Sequence, residues 1–111
     1  MAKTILITAD TIGEEGELGV LLMKSFVYSL ARAEVKPARI LLMNTAVRLS
    51  CKGSDSLEDL ESLVESGVVV RSCGTCLDYL GLRDSLAVGE IGTMPGAIEA
   101  LLGDDAVVTI S

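Results

Sequence analysis

Short apolar runs alternate with longer amphipathic segments along the chain. Five runs rich in Val, Ile and Leu predict β-strands, at residues 3–8, 38–44, 68–73, 86–92 and 106–111. Runs that are apolar at nearly every position are typical of strands buried on both faces, as in a parallel sheet. The strand pattern therefore predicts a parallel sheet covered by other elements.

The segments between these runs predict helices, at residues 18–34, 54–66, 76–82 and 93–103. In the first of them, apolar side chains recur at every fourth position: Leu18, Leu22, Phe26 and Leu30. This spacing predicts the buried face of the helix, and Leu21, Met23 and Val27 widen it. The apolar face is wider than one sheet contact needs, and the excess fits either a subunit interface or a deep position in the domain.

Other residues in these segments predict where the helices begin and end. Pro37 is expected to help end the first helix, and Gly67 is expected to stop the second. Asp55 and Glu58 have the spacing of a capping box at the start of that second helix.

Alternating strands and helices imply βαβ units, and thus an α/β fold with helices on both faces of the sheet. Ligands of such open sheets gather at the carboxyl ends of the strands. The loops that leave strand ends here are residues 9–17, 44–53 and 73–77. They contain most of the chemically interesting side chains.

The composition of the chain argues against several classes of function. A chain of 111 residues suits one domain, which we take as residues 1–111. The net charge of −7 argues against a nucleic-acid partner, since phosphate binding needs clustered Lys and Arg. The sequence has no signal peptide and no apolar segment near the roughly 20 residues of a membrane span, so we expect a cytoplasmic protein.

Cys73 and Cys76 carry the most specific chemical signal, because they form a CxxC motif where the third strand meets a helix beginning at about Cys76. The N–H groups at a helix N-terminus favour a thiolate, which attacks sulfur electrophiles and can carry a persulfide. Gly74 would let the backbone turn tightly beside a substrate. Two buried, unreactive thiols remain the alternative.

Other kinds of site fit the sequence less well. A thioredoxin-like dithiol usually follows an early strand and faces a proline loop, whereas this motif follows the third strand. A zinc or iron–sulfur site needs about four ligands, and the chain offers Cys51, Cys73 and Cys76 with no histidine, so no metal is expected. The acidic loop 9–17 lacks a phosphate-binding pattern, which argues against a nucleotide.

Several polar or small residues in the strand-end loops are candidates for substrate binding: Gly74, Thr75, Asn44 and Asp10. Nearby cations that would favour a thiolate or an anionic sulfur species are Arg48, Lys52 and Arg71. Cys51 lies in the loop after the second strand and is more simply explained as a lone thiol.

Four segments in order resemble a known family: DTIGEEGELGVLLMKSFVYSL, ILLMNTAVRL, GSDSLEDLESLVESGVVVRSCGTCLDYLGL and VGEIGTM. Together they resemble the DsrE-like domain of the selenium-metabolism protein YedF, and more broadly the DsrE/DsrF-like sulfur-relay proteins. The CGTCLDYLGL and early GxxGELG segments are the most specific parts. Thr93 stands where the family usually has Asn.

The resemblance implies a three-layer α/β/α domain with a five-stranded, mainly parallel sheet, and homo-oligomers such as trimers or hexamers. It also implies a persulfide-carrying cysteine at the end of the third strand. By its spacing to Gly81, that residue is Cys73, and Cys76 would resolve the persulfide or share in its transfer. The implied partners are sulfur-donor and sulfur-acceptor proteins such as TusA-like carriers, with no cofactor. Dithiol redox chemistry and a non-catalytic binding module remain alternatives.

Overall fold

The computed structural model describes residues 2–111, which form a five-stranded sheet with helices on both faces. The strands are β1 Lys3–Ile7, β2 Arg39–Leu42, β3 Val69–Cys73, β4 Glu90–Gly92 and β5 Ala106–Ile110. The α-helices are α1 Glu17–Arg32, α2 Leu57–Glu65, α3 Gly74–Tyr79 and α4 Met94–Leu101. Short 3-10 helices span Asn44–Ser50 and Arg83–Ser85.

The sheet has the strand order β4-β3-β2-β1-β5, and every neighbouring pair runs parallel. The predicted α/β fold with a five-stranded sheet is confirmed, and its strands are all parallel. Because all strands point the same way, the loops after β2, β3 and β4 meet at one edge of the sheet. This edge carries the CxxC motif.

The main core lies between one face of the sheet and α1, α2, α3 and the first 3-10 helix. Alternate strand residues supply the sheet side: Ile5, Ile7, Ile40, Leu42 and Val70. Helix α4 covers part of the opposite face, where Ala97 lines a cavity together with Leu41 and Arg71. The two layers of helices therefore leave side chains of β3 pointing into different environments.

The buried face of α1 is centred one position beyond the predicted stripe, on the part of the wider apolar face that holds Met23 and Val27. Its buried residues are Gly19, Met23, Val27 and Ala31. Leu18 and Leu22 of the predicted stripe are exposed, while Phe26 and Leu30 are half-buried. One position rotates the face by about 100° around the helix axis. Small residues bring the helix close: a Cβ at Gly19 would lie 2.5 Å from the carbonyl oxygen of Glu14.

Several predicted boundaries also differ. The predicted loop 44–53 contains a 3-10 helix, and α2 begins at Leu57 after Ser56, with no side-chain cap, so the expected capping box does not form. Gly67 follows α2 with a φ of +102°, as a stop signal should. The fourth strand is short, and Leu86 instead forms an antiparallel bridge to Cys51. None of the helices within residues 2–111 is long and apolar enough to cross a membrane.

Candidate functional site

Cys73 is the last residue of β3 and immediately precedes α3. It is 8% exposed, and its strand neighbour Ser72, which points to the main core, is fully buried. Cys73 lines a cavity of about 240 Å³ between the sheet and α4. Cys73 therefore lies where this cavity meets the main core, to which it also belongs.

The predicted helix start at Cys76 was wrong, since α3 begins two residues earlier at Gly74. The backbone turns directly out of β3 into the helix, so Cys73 takes the N-cap position and Cys76 lies inside the first turn. No hydrogen bond caps the helix through the side chain of Cys73. The expected N–H contact to a thiolate is thus absent at Cys73 among the described residues.

Cys76 instead receives a hydrogen bond from a different loop. The backbone N–H of Asn44 donates to Cys76 Sγ over 3.1 Å. Asn44 has a φ of 54°, a left-handed conformation that Asn adopts more readily than most residues. The end of β2 is thereby held against the first turn of α3, which brings the predicted site residues Asn44, Cys73 and Cys76 together.

The environment of Cys76 favours the protonated form of its thiol. Burial raises the pKa of Cys76 above its ordinary value, and the hydrogen bond and charge of the neighbouring Cys73 raise this pKa as well. The N–H of Asn44 lowers the pKa of Cys76, because its hydrogen bond stabilises the thiolate. Cys73 and Cys76 are therefore in electrostatic contact, and both are free thiols.

Two buried serines hold the end of β3 against the 3-10 helix after β2. The hydroxyls of Ser50 and Ser72 lie 2.6 Å apart, and both side chains are fully buried. Ser50 Oγ also donates to the carbonyl oxygen of Val47 over 2.9 Å. Ser72 is therefore the donor to Ser50, since Ser50 has one proton to give. The pair fixes the two loops that carry Asn44 and Cys73.

Gly74 fills a position where a side chain would be crowded by its neighbours. A Cβ there would lie 3.0 Å from the guanidinium of Arg83, 3.2 Å from Ile91 and 3.3 Å from the carbonyl oxygen of Gly92. Arg83 is itself held by Asp78, with two hydrogen bonds of 2.5 and 2.9 Å. The predicted role of Gly74 in a tight turn is consistent with this packing. Thr75 is exposed on the surface of α3.

Asp10 lies apart from the cavity of Cys73. Its backbone N–H donates to Thr45 Oγ1 over 3.1 Å, and its carboxylate lies 3.6 Å from Arg48. Asp10 and Arg48 line a separate cavity of about 410 Å³, which also contains Cys51 and Lys52. Asp10 therefore does not share a cavity with Cys73.

Cys51 is a structural thiol. Its Sγ donates to the carbonyl oxygen of Val47 over 3.2 Å, and the side chain is 2% exposed. Burial raises the pKa of Cys51, which disfavours the reactive thiolate. Within residues 2–111, no group of three or more His, Cys, Asp or Glu side chains is placed to hold a metal ion.

Sequence reasoning missed the partners of Cys73 in its cavity. Of the predicted cations only Arg71 lines it, and Glu90 and Thr93 line it from the neighbouring strand and from the start of α4. Arg71 and Cys73 are two residues apart on one strand, so the sequence places them on one face of the sheet. The position of Glu90 depends on the register between β3 and β4, for which the sequence carries no signal.

Two solved structures are similar to this chain along nearly its whole length. The ychN protein from E. coli has 25% sequence identity and a TM-score of 0.70, covering 99% of this chain and 100% of its own. The protein of unknown function MTH1491 from Methanobacterium thermoautotrophicum has 22% identity and a TM-score of 0.69, covering 98% and 99%. No protein-family model and no curated protein matches the chain. The chain has a DsrE-like fold, which the ychN protein shares.

Proposed function

We propose that this protein handles sulfur or selenium by carrying it as a persulfide, or its selenium equivalent, on Cys73 and passing it to a partner. The observation that supports this most directly is the position of Cys73, a nearly buried thiol at the end of the third strand, in the wall of a cavity. The DsrE-like fold adds support, since the family-like segments imply a sulfur-carrying cysteine at this position.

In this function the Cys73 thiolate attacks the outer sulfur of a donor persulfide. The S–S bond of the donor breaks, the donor leaves as a thiol, and Cys73 holds the transferred sulfur until an acceptor thiol takes it. The low exposure of Cys73 shelters the reactive sulfur from oxidants and stray thiols. Cys76 resolves the persulfide or shares in its transfer. The chain acts as a carrier more than as a multiple-turnover enzyme and uses no cofactor.

We also propose a location, partners and an oligomeric state for this protein. We place it in the cytoplasm as a single DsrE-like domain that resembles the YedF branch, with TusA-like carriers as donors or acceptors. It forms a homo-oligomer, a trimer or a hexamer. Exposed apolar side chains near the start of α1 support association, and they are Leu18, Val20, Leu21 and Leu22.

Intact mass spectrometry after incubation with a polysulfide donor tests the assignment. We expect the wild type to gain one sulfur that reductant removes, and the Cys73→Ser variant to gain none, because serine cannot form a persulfide. Cys51→Ser is the matched control and should load like the wild type, since its hydroxyl can keep the bond to Val47. Unchanged loading in Cys73→Ser would contradict the role of Cys73.

A CxxC dithiol redox protein is the second candidate function. It is favoured by the contact between Cys73 and Cys76, which raises the pKa of the Cys76 thiol. The same mass experiment separates the two functions. A dithiol that becomes a disulfide makes the wild type lose two hydrogens and gain no sulfur. Neither Cys73→Ser nor Cys76→Ser should then lose these two hydrogens.

A further inference from the structure

The cavity of Cys73 has a charged mouth and a buried thiol. The side chains of Arg71 and Glu90 line it and are 43% and 71% exposed, whereas Cys73 is 8% exposed. The two charged groups that line the cavity are therefore more open to solvent than the sulfur atom of Cys73, as are the lining residues Ile91 and Met94, which are 41% and 49% exposed.

The sheet register fixes the distance between these two ends. Arg71 pairs with Glu90, and Cys73 pairs with Gly92, on adjacent parallel strands. Two residues along a strand span about 6.6 Å, which is the backbone spacing between the charged pair and Cys73 on one face. A ligand held at both positions has its charged groups at one end and a reactive sulfur at the other.

The charges at the mouth are one of each sign. Arg71 Nε lies 3.7 Å from a carboxylate oxygen of Glu90, which is a loose and exposed ion pair. Such pairs contribute little to stability, so both groups can exchange this contact for ligand groups. A ligand with one carboxylate and one ammonium group would satisfy both, whereas a simple anion would compete with Glu90.

The size and walls of the cavity define the rest of the ligand. The volume of about 240 Å³ limits the ligand to a small molecule. Most other lining side chains are apolar, and two of them are polarisable thioethers. These apolar residues include Leu41, Met43, Ile91, Met94 and Ala97. They suit an aliphatic stem and a neutral sulfane sulfur.

We infer that this cavity binds a small zwitterionic amino-acid persulfide, the class to which cysteine persulfide belongs, as the direct sulfur donor. The inference rests on the proposed function and names its substrate class. The carboxylate lies on Arg71, the ammonium group on Glu90, and the outer sulfur against Cys73. Cysteine persulfide is a small molecule of the kind that this cavity volume admits.

The transfer balances without an added oxidant or reductant. The Cys73 thiolate attacks the outer sulfur of the R–S–SH donor and forms a new S–S bond. The S–S bond of the donor breaks, and its electron pair leaves on the inner sulfur. That sulfur takes up the proton that the Cys73 thiol released, so the products are R–SH and the Cys73 persulfide.

S-methyl-L-cysteine is a suitable probe, because it replaces the terminal sulfur with a methyl group and cannot react. Titration monitored by NMR should shift the backbone resonances of Arg71, Cys73 and Gly92. The analogues that lack the amino group or the carboxylate, 3-(methylthio)propanoate and S-methylcysteamine, should each bind about tenfold more weakly, since each loses one charged hydrogen bond.

Variants locate the binding in the cavity. Arg71→Met keeps the aliphatic stem and should weaken binding of the probe about tenfold. Arg32→Met is the charge control, because Arg32 lies on α1 and pairs with Asp59 away from the cavity. Ala97→Leu fills the cavity and should abolish binding, and thermal unfolding of each variant checks that the fold is intact.

The outcomes separate this inference from the proposed function. Probe binding that Arg71→Met weakens, together with polysulfide loading of Cys73 in the wild type, supports both. Loading of Cys73 without probe binding overturns the amino-acid donor and leaves the carrier function standing. Probe binding with no loading from polysulfide or from cysteine persulfide overturns the carrier function and with it the donor role. Equal binding in Arg71→Met and wild type overturns the assigned site.

Discussion

At the scale of single residues, the two cysteines of one motif have different environments. Cys73 lines the cavity under α4, while Cys76 accepts a hydrogen bond from the backbone of Asn44. The motif spacing predicts that both thiols lie near the start of a helix, and they do. Residues far away in sequence form both the cavity and the contact with Asn44. The spacing of the motif alone therefore could not assign separate roles to the two thiols.

Alkylation of Cys76 as a function of pH is a residue-scale prediction. Burial, followed by the contact with Cys73, raises the pKa of Cys76, so its alkylation should have a midpoint above that of an unstructured cysteine. Removing the thiol in Cys73→Ala should lower this midpoint, because the hydrogen bond and charge of Cys73 are gone. Peptide mass spectrometry of iodoacetamide labelling gives both midpoints, and Cys51→Ala is the control.

The same raised pKa has a consequence for stability. The folded state favours the protonated Cys76 thiol, so protonation of this thiol stabilises the fold. This stabilisation is complete below the pKa of the thiol in the unfolded chain. It is lost as the pH rises through the higher pKa of the folded state. A labelling midpoint of Cys76 at or below that of an unstructured cysteine would contradict the raised pKa that its partial burial causes.

At the scale of elements, the sequence identifies strands and long helices better than short segments. Apolar runs mark four of the strands closely, whereas β4 is only Glu90–Gly92 within the predicted run 86–92. The 3-10 helix Asn44–Ser50 has no periodic pattern, and the sequence predicts a loop there. The face of α1 was misplaced because small residues, Gly19 and Ala31, are buried where long leucines are not. Close approach of the backbone outweighs side-chain hydrophobicity at these positions.

The contact between β3 and the first 3-10 helix gives a prediction at this scale. Ser72→Ala removes the donor to the buried oxygen of Ser50 and should lower the free energy of unfolding by about 1 kcal/mol. The double variant Ser50→Ala/Ser72→Ala should cost less than the sum of the single changes, because the two hydroxyls form one network. Urea denaturation measures all three values.

Ser25→Ala is the control for this series, since Ser25 is exposed on α1 and its replacement should not lower stability. Additive effects of the two buried serine changes would show that the hydroxyls do not interact, which would contradict the proposed donor assignment between Ser72 and Ser50.

At the scale of the whole molecule, the most exposed apolar side chains of α1 lie near its start. Leu18 and Leu21 are 69% and 61% exposed. Exposed apolar clusters of this kind often mark protein interfaces. The wide apolar face of α1 left two explanations open at the sequence level, and the exposure of these leucines favours association over a deep position in the domain.

Sedimentation velocity tests the proposed homo-oligomer. We expect the wild type to sediment as a species larger than one chain, and Leu21→Glu to shift it toward the monomer, because a buried carboxylate without a partner is costly. Val35→Glu is the matched control: Val35 is also exposed but lies beyond the end of α1. A monomeric wild type, or equal assembly in both variants, would contradict the interface.

The sequence by itself determined the elements, their alternation, the parallel sheet and the junction that carries Cys73. These follow from local rules, since apolar periodicity and the strand-to-helix turn depend on residues close in the chain. Only the tertiary structure decided that Arg71, Glu90 and Cys73 line one cavity, that Asn44 reaches Cys76, and that Asp10 lies elsewhere. The physical reason is register: which residues of neighbouring strands and loops meet depends on packing across the whole sheet.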